Sequence, residues 1–402
     1  MGNKQINVAT VLIIKTSSLG DVIHTLPALT DAARAVPGIR FDWVVEEAFA
    51  EIPAWHPAVD RVIPVALRCW RGHPVDTWRR GAWGRFKGEL VARRYDAVID
   101  AQGLLKSAWL TRQARGRRFG PDRRSAREPV ASRFYDVPLP VAKGQHAVER
   151  VRQLFAQALG YEMEYGIDGE GQSARGESIR GEYGLVLPAQ RAAPQAASSG
   201  ERQYSEHQDI EPHRSEPLNS QHRDAGGMGP SGSGRNTVVL LHGTAWPTKH
   251  WPERSWEELS GELVRAGYRV VLPWGDEAER LRAWRVADAS GARVLARMGL
   301  TELAGLMAEV AGCVSVDTGL GHLAAAVGCP TVSLFGPTHP GLTGFYGRNQ
   351  VVLHSGFPCA PCLRRKCRYA PEAGTGQWPP CFEELSARRV FEAFMGNVGG
   401  ER

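Results

Sequence analysis

Nowhere in the 402 residues do apolar side chains run unbroken for the roughly 20 positions that a bilayer-crossing helix needs. That excludes a spanning helix, so any membrane contact is expected to be peripheral. The apolar run near the N-terminus, Val11 to Ile14, is too short for a secretory leader and is followed by charge; the chain is expected to stay in the cytoplasm. No P-loop signature occurs, and no G-x-G-x-x-G follows the first strand, which disfavours a kinase and a standard dehydrogenase. An interleaved RNA-binding signature is missing too, so no nucleic-acid partner is expected. Cysteine is scarce outside one segment: of seven, only Cys69, Cys313 and Cys329 are scattered, the last two in apolar surroundings that suit small core residues. Apolar residues thin out from about 168 to 236, a stretch rich in Gly, Ser, Gln, Arg and Glu. Such a segment cannot bury enough surface to offset its ordering entropy, and it reads as a largely disordered insert with one candidate strand, Tyr183 to Pro188.

What remains is two ordered halves. Apolar runs alternate with helical patterns, the signature of an α/β fold with parallel sheets. The first half, residues 1–167, offers strands at Val11–Ile14, Phe41–Val45, Val62–Pro64, Ala97–Asp100 and Arg117–Phe119. The run His146 to Gly160 has helical spacing and a glycine stop. The second half, 237–385, offers strands at Thr237–Leu241, Arg269–Pro273, Arg293–Leu295, Cys313–Val316, Thr331–Phe335 and Gln350–Leu353. A closing helix, Glu384 to Phe394, leads into the tail (386–402) and is expected to cross back onto the first half. The net charge of +6 is uneven, with arginines at 68, 71, 79, 80 and 85 and again from 112 to 133. This suggests an acidic partner, although each arginine alone suits a solvated face.

In open parallel sheets ligands bind beyond the carboxyl ends of the strands, so strand-to-helix loops carry the chemistry. "VSVDTGLGHL" puts Asp317, Thr318 and Gly319 at a helix start, where backbone amides attract anions; helix capping is the plain alternative. His322 either faces a ligand or packs. Thr244 and Lys249 in "HGTAWPTKHW" suit a phosphate, and Glu277 or Glu279 in "LPWGDEAER" could accept sugar hydroxyls. "KTSSLGDVIHTLPAL" places a carboxylate, Asp21, where a loop turns into a helix. Between Ala66 and Lys87, Trp70, Trp78 and Trp83 alternate with arginines; they suit either a membrane interface or a helical hairpin packing them inward. Cys359, Cys362, Cys367 and Cys381 form a C-x2-C-x4-C-x13-C array that suits Zn²⁺ or an iron–sulfur cluster, with lone reduced thiols the alternative.

Together, "KTSSLGDVIHTLPAL", "YDAVIDAQGLLKSA", "AREPVAS", "QHAVERVRQLF", "KHWPERSW", "LPWG", "VSVDTGLGHL" and "GPTHPGLTGFYG" resemble the lipopolysaccharide heptosyltransferases of glycosyltransferase family 9, over nearly all of both halves. The resemblance implies a GT-B fold, two Rossmann-like domains with parallel sheets facing a central cleft. It implies an inverting transfer of heptose from ADP-L-glycero-β-D-manno-heptose to the Kdo of Kdo-lipid A at the inner face of the inner membrane. No cofactor is implied for catalysis, and the cysteine array would hold a structural Zn. By the same resemblance Asp21 is the general base. Thr244, Lys249, Glu277, Asp317, Thr318, Gly319 and His322 bind the donor. Ser17, Ser18, Gly20, Arg68, Arg71 and Arg127 line the acceptor side. Three positions depart from the family's habit: Ala245 replaces a second threonine, His339 an aspartate and Cys69 an arginine. "FDWVVEE" and "AQGLLKSA" favour the branch that acts on Kdo over the branch whose acceptor already carries heptose. A nucleotide-sugar epimerase of the same fold would need further acid–base groups, and a non-enzymatic anionic-lipid binder would leave Asp21 without a task.

Overall fold

The computed structural model describes residues 10–72, 79, 81–163, 182–188, 234–369 and 379–399. Two six-stranded sheets, all of whose strand pairs are parallel, form the scaffold. The first comprises β1 (Thr10–Ile14), β2 (Arg40–Glu46), β3 (Val59–Val65), β4 (Arg94–Asp100), β5 (Arg115–Pro121) and β6 (Val137–Leu139) in the order β3-β2-β1-β4-β5-β6. The second holds β7 (Thr237–Leu241), β8 (Arg269–Leu272), β9 (Arg293–Val294), β10 (Gly312–Val316), β11 (Thr331–Phe335) and β12 (Gln350–His354), ordered β9-β8-β7-β10-β11-β12. Each half therefore repeats one Rossmann order, with its reversal between the first and fourth strands. Helices cover both faces, so central strands are apolar throughout: Val11 to Ile14 are wholly buried.

The order fixes where ligands bind. The direction in which strands are added to the sheet reverses at β1/β4 and at β7/β10, leaving a crevice at each switch point. Four loops open there: 15–18 after β1, 101–104 after β4, 242–249 after β7 and 317–318 after β10. The two crevices meet. Helix α1 (Leu19–Ile23) lies against α2 (Gly319–Ala326) so closely that a Cβ on Gly20 would stand 2.7 Å from the His322 ring, and one on Gly319 would stand 2.8 Å from Leu19. Only glycine lets these two helix starts approach across the cleft.

Several expectations meet the structure differently. The 146–160 pattern forms Ala147–Leu159, capped by His146 Nδ1 accepting from Val148 N–H and stopped by Gly160 at φ 73°. β6 was not visible in sequence; three residues centred on Pro138 give too short a pattern to register. Tyr183 to Pro188 is ordered but not a strand: it takes φ +63° at Gly184 and donates one backbone bond, Val186 N–H to Trp55 O at 3.0 Å. Apart from 182–188 and 234–236, the 168–236 insert lies outside the described residues. The closing helix, Ala387–Gly399, packs Val390 and Phe394 into the core of the second sheet. Its apolar face finds β10–β12 before it can reach the first half. Trp70 and Trp83 pack inward on Phe86 at 5.6 Å, and Trp83 stacks on Trp109 at 4.7 Å. The hairpin reading holds for them; Trp78 lies outside the described residues.

Candidate active site

Asp21 sits in the first turn of α1, and its two oxygens have separate tasks. Ser18 donates to Oδ2 through both its backbone N–H and its hydroxyl, each at 3.0 Å. The capping reading is thus satisfied by one oxygen. Oδ1 faces the cleft, 3.6 Å from Lys15 Nζ and 3.3 Å from an Arg127 nitrogen. Burial alone would raise the carboxyl's pKa. The Lys15 ammonium and the Arg127 guanidinium, with the Ser18 N–H, outweigh it and hold the group well below the usual carboxylate range. Lys15 is itself pinned by donating to Ala101 O at 2.9 Å.

The neighbouring loop is fixed by Asp100, the last residue of β4. Its fully buried carboxylate accepts from Gln102 N–H, Gly103 N–H, Ser107 Oγ and Tyr135 Oη, all at 2.7–3.0 Å. Gln102 Oε1 in turn accepts from Thr16 N–H at 2.8 Å, tying the two crevice loops together. Ser17 Oγ faces the Gln102 amide at 3.4 Å and Lys106 Nζ at 3.3 Å. Arg68 and Arg71 fall on the helix Leu67–Gly72, but their side chains lie outside the described residues.

Across the cleft Asp317 is the hub of the second crevice. Its Oδ2 accepts from Lys249 Nζ at 2.7 Å and from the Thr338 hydroxyl at 2.6 Å, and its carbonyl accepts from Thr244 Oγ1 at 3.1 Å. Lys249 also lies over the Trp246 ring, 4.7 Å from its centroid. Thr318 is the N-cap of α2 with extended backbone and no side-chain capping bond, so the amides of Gly319 and its neighbours open toward the cleft. Glu277 does not join this group: it is paired with Arg280 at 2.7 Å on an exposed face. Glu279 does. One of its oxygens accepts from Gly275 N–H at 2.8 Å, and its carboxylate occupies the space where a Cβ on Gly243 would lie. His339 serves as a cap, accepting from Gly341 N–H at 3.0 Å.

A side-chain hydrogen bond also joins the crevices. His24 Nε2 and His322 Nδ1 are 3.1 Å apart, and His322 Nε2 lies 4.0 Å from Asp317. Burial holds His322 down to about 4, against the attraction of Asp317, and burial also pushes His24 well below its ordinary value, with His322 and His146 adding repulsion. Both rings are therefore neutral near neutrality, one donating and one accepting. A base whose pKa is lowered on folding favours unfolding once protonated. Stability from this pair is present above about 6.5 and is lost as pH falls toward about 4. The melting temperature is expected to drop by several degrees between about pH 7 and about pH 5; a flat profile in a pH series of thermal melts would refute the neutral pair. His24, Lys15, Arg150 and Thr338 escaped sequence reasoning, and only Lys15, at the end of an apolar strand, carried a local signal.

Cys359, Cys362 and Cys367, half-buried, line a cavity of about 260 Å³, and the buried Cys381 is their neighbour. Burial, then the three neighbouring thiols, pushes Cys381 up to about 12. Among the described residues no three Cys, His, Asp or Glu side chains stand close enough to hold a metal ion as they are. The segment braces the donor loops: Thr248 Oγ1 donates to Arg364 O at 2.7 Å, and Leu363 N–H to Pro337 O at 2.8 Å.

Known proteins share this arrangement. The profile of glycosyltransferase family 9 (heptosyltransferase) matches residues 83–372. Lipopolysaccharide heptosyltransferase 1 of Pseudomonas aeruginosa is 52% identical over 390 residues, 94% of this chain and 95% of its own. Its namesake from Escherichia coli K12 is 45% identical over 351 residues, 86% of this chain and 93% of its own. The solved structure of E. coli heptosyltransferase WaaC with ADP superposes with a TM-score of 0.73 at 40% identity, over 96% of this chain and 99% of that one. The same enzyme with ADP-2-deoxy-2-fluoro heptose gives a TM-score of 0.67 at 43% identity, over 86% and 93%. These matches and the paired sheets agree with the GT-B architecture expected from sequence, and the chain belongs to glycosyltransferase family 9, the heptosyltransferases.

Proposed function

We propose that the chain transfers L-glycero-D-manno-heptose from ADP-heptose to the Kdo of Kdo-lipid A, with inversion. The observation that carries this is the His24–His322 contact, which sets the Asp21 carboxylate opposite the Asp317–Lys249 cluster across one cleft. Asp21 takes the proton of the acceptor hydroxyl as that oxygen bonds to the anomeric carbon. The bond from that carbon to the diphosphate breaks, and ADP leaves with the electron pair. Lys249, the Thr244 and Thr318 hydroxyls and the amides at the start of α2 meet the growing charge on the diphosphate. Glu279 takes the sugar-hydroxyl role expected of Glu277. No cofactor takes part in these steps.

Ser17, Ser18, Gly20, Arg68, Arg71 and Arg127 belong to the acceptor side. The acceptor is a lipid, and exposed apolar side chains flank its crevice: Leu105 and Trp109 are each 43% exposed and Val130 49%. This supports peripheral contact with the cytoplasmic face of the inner membrane; no helix among the described residues is long and apolar enough to cross one. The test is ADP release from ADP-heptose with Kdo-lipid A carried in anionic vesicles. Turnover, with protein pelleting alongside the vesicles, is expected. Turnover only on an acceptor that already bears heptose would move the chain to the other branch of the family.

The cysteine array fits a soft tetrahedral ion by donor chemistry, three thiols lining one cavity and the fourth, Cys381, next to them, although they would have to draw together around it. We assign it a structural Zn. Elemental analysis of the purified protein is expected to give close to one metal per chain, lost in Cys362→Ser; metal-free protein with full activity would sink the assignment.

A further inference from the structure

The crevice around Asp317 has little positive charge to spare. Lys249 is spent on Asp317, 2.7 Å away, and Glu279 adds a second carboxylate beside Gly243. Arg282, on the helix Glu277–Ser290, is tied to His250 Nδ1 at 2.7 Å. A nucleoside diphosphate arriving there meets a Lys–Asp pair that is already neutral. It carries more negative charge when it leaves than while it is esterified to a sugar. Holding such a group beside a carboxylate calls for a further cation.

The cysteine-bearing segment brings one. Arg365 lies over the Trp246 ring, 4.9 Å from its centroid, and Lys249 Nζ lies over the same ring at 4.7 Å. One indole therefore gathers both charges at the loop after β7. The backbone that carries Arg365 is fixed to two donor loops. Arg364 O accepts from the Thr248 hydroxyl at 2.7 Å, and Leu363 N–H donates to Pro337 O at 2.8 Å. Thr248 is buried and adjoins Lys249, while Pro337 adjoins Thr338, which donates to Asp317. Leu363 takes φ 55°, a left-handed conformation that is costly for a side chain of its size and is held by these bonds. The Arg365 side chain, by contrast, is exposed, and no carboxylate among the described residues pairs with it. Its guanidinium can turn onto a ligand without breaking an ion pair.

We infer that Arg365 is a second cation of the donor site: its guanidinium binds the diphosphate of the donor beside Lys249 and stabilises ADP as it leaves, and Trp246 is the positioning residue that keeps both cations at that loop. The inference rests on the heptose transfer proposed above for the identity of the donor. A guanidinium suits the task because its planar fork meets two phosphate oxygens at once, where an ammonium acts as a point charge. The cysteine-bearing segment thereby gains a part in the reaction, since its fold sets where Arg365 stands.

ADP and adenosine are titrated into the full chain by calorimetry at several salt concentrations, and heptose transfer to Kdo-lipid A is assayed in parallel. Arg365→Gln is expected to weaken ADP at least about tenfold, as the loss of one charge-assisted pair does. It should also flatten the fall of ADP affinity with salt and leave adenosine unchanged. Arg365→Lys should keep most of the affinity. Trp246→Leu should weaken ADP selectively, and Trp246→Phe, which keeps a ring, should not; thermal melts check that every variant folds. An Arg365→Gln chain that binds ADP as the parent does would overturn the inference. So would an equal loss of ADP and adenosine, which would make Arg365 a support of the loop. Transfer by the parent with ADP binding indifferent to Arg365 removes Arg365 alone. ADP binding that needs Arg365, in a chain that transfers no heptose, removes the transferase reading alone, and a parent that binds no ADP removes both.

Discussion

Replacing Asp21 by Asn is expected to lower kcat for heptose transfer by about 10³-fold, within the range that general-base removal produces. The amide is nearly isosteric, and its oxygen can still accept from Ser18, so α1 keeps its cap. It cannot take a proton. The KM for ADP-heptose should hardly change, because the residues around Asp317 are untouched. Some stability will be lost, since Lys15 loses its facing charge inside the cleft. Activity within tenfold of the parent would reduce Asp21 to a helix cap. The pH profile adds a second readout. A carboxyl held low by Lys15 and Arg127 stays ionised as pH falls through the ordinary carboxylate range. The acid limb of kcat/KM, which reports free enzyme, should therefore lie below that range.

Lys249→Met should be nearly as damaging, by another route. Lys249 and Asp317 form a 2.7 Å pair with side chains 16% and 7% exposed. Removing one partner of such a pair strands the other, at a cost of about 3–5 kcal/mol in the strict buried case. Here Thr338 still donates to Asp317, which softens the loss. The larger consequence concerns the donor: in the proposed transfer the departing diphosphate loses the cation assigned to it, and kcat/KM is expected to fall by about 10²–10³-fold. Calorimetric titration with ADP separates the effects, because weakened ADP binding follows only if Lys249 touches the nucleotide. Unchanged ADP affinity would make Lys249 a structural strut for Asp317.

How much was legible in sequence follows from the range of each interaction. Strands such as Val11–Ile14 and Thr331–Phe335 announce themselves because parallel strands buried on both faces are apolar without a break. Loops at their carboxyl ends followed directly, and with them Asp21, Thr244, Lys249 and Asp317. Choosing between Glu277 and Glu279 did not. Two residues apart on a helix they point in nearly opposite directions, and which faces inward is set by Asp276 capping the helix through Glu279 N–H at 2.9 Å. His24 and His322 are 298 positions apart, and nothing near either residue marks the other. Arg150 sits within an amphipathic helix where an arginine reads as surface; only the fold turns it toward Asp21.

The proposed transfer is a single displacement on the donor's anomeric carbon by a hydroxyl that Asp21 deprotonates. The most direct measurement is mass spectrometry and NMR of the product formed from ADP-L-glycero-β-D-manno-heptose and Kdo-lipid A. One heptose added in the α configuration is the predicted result. A β-linked product would contradict the claim, because retention requires a second nucleophile in the cleft and a covalent intermediate that leaves Asp21 in a different role.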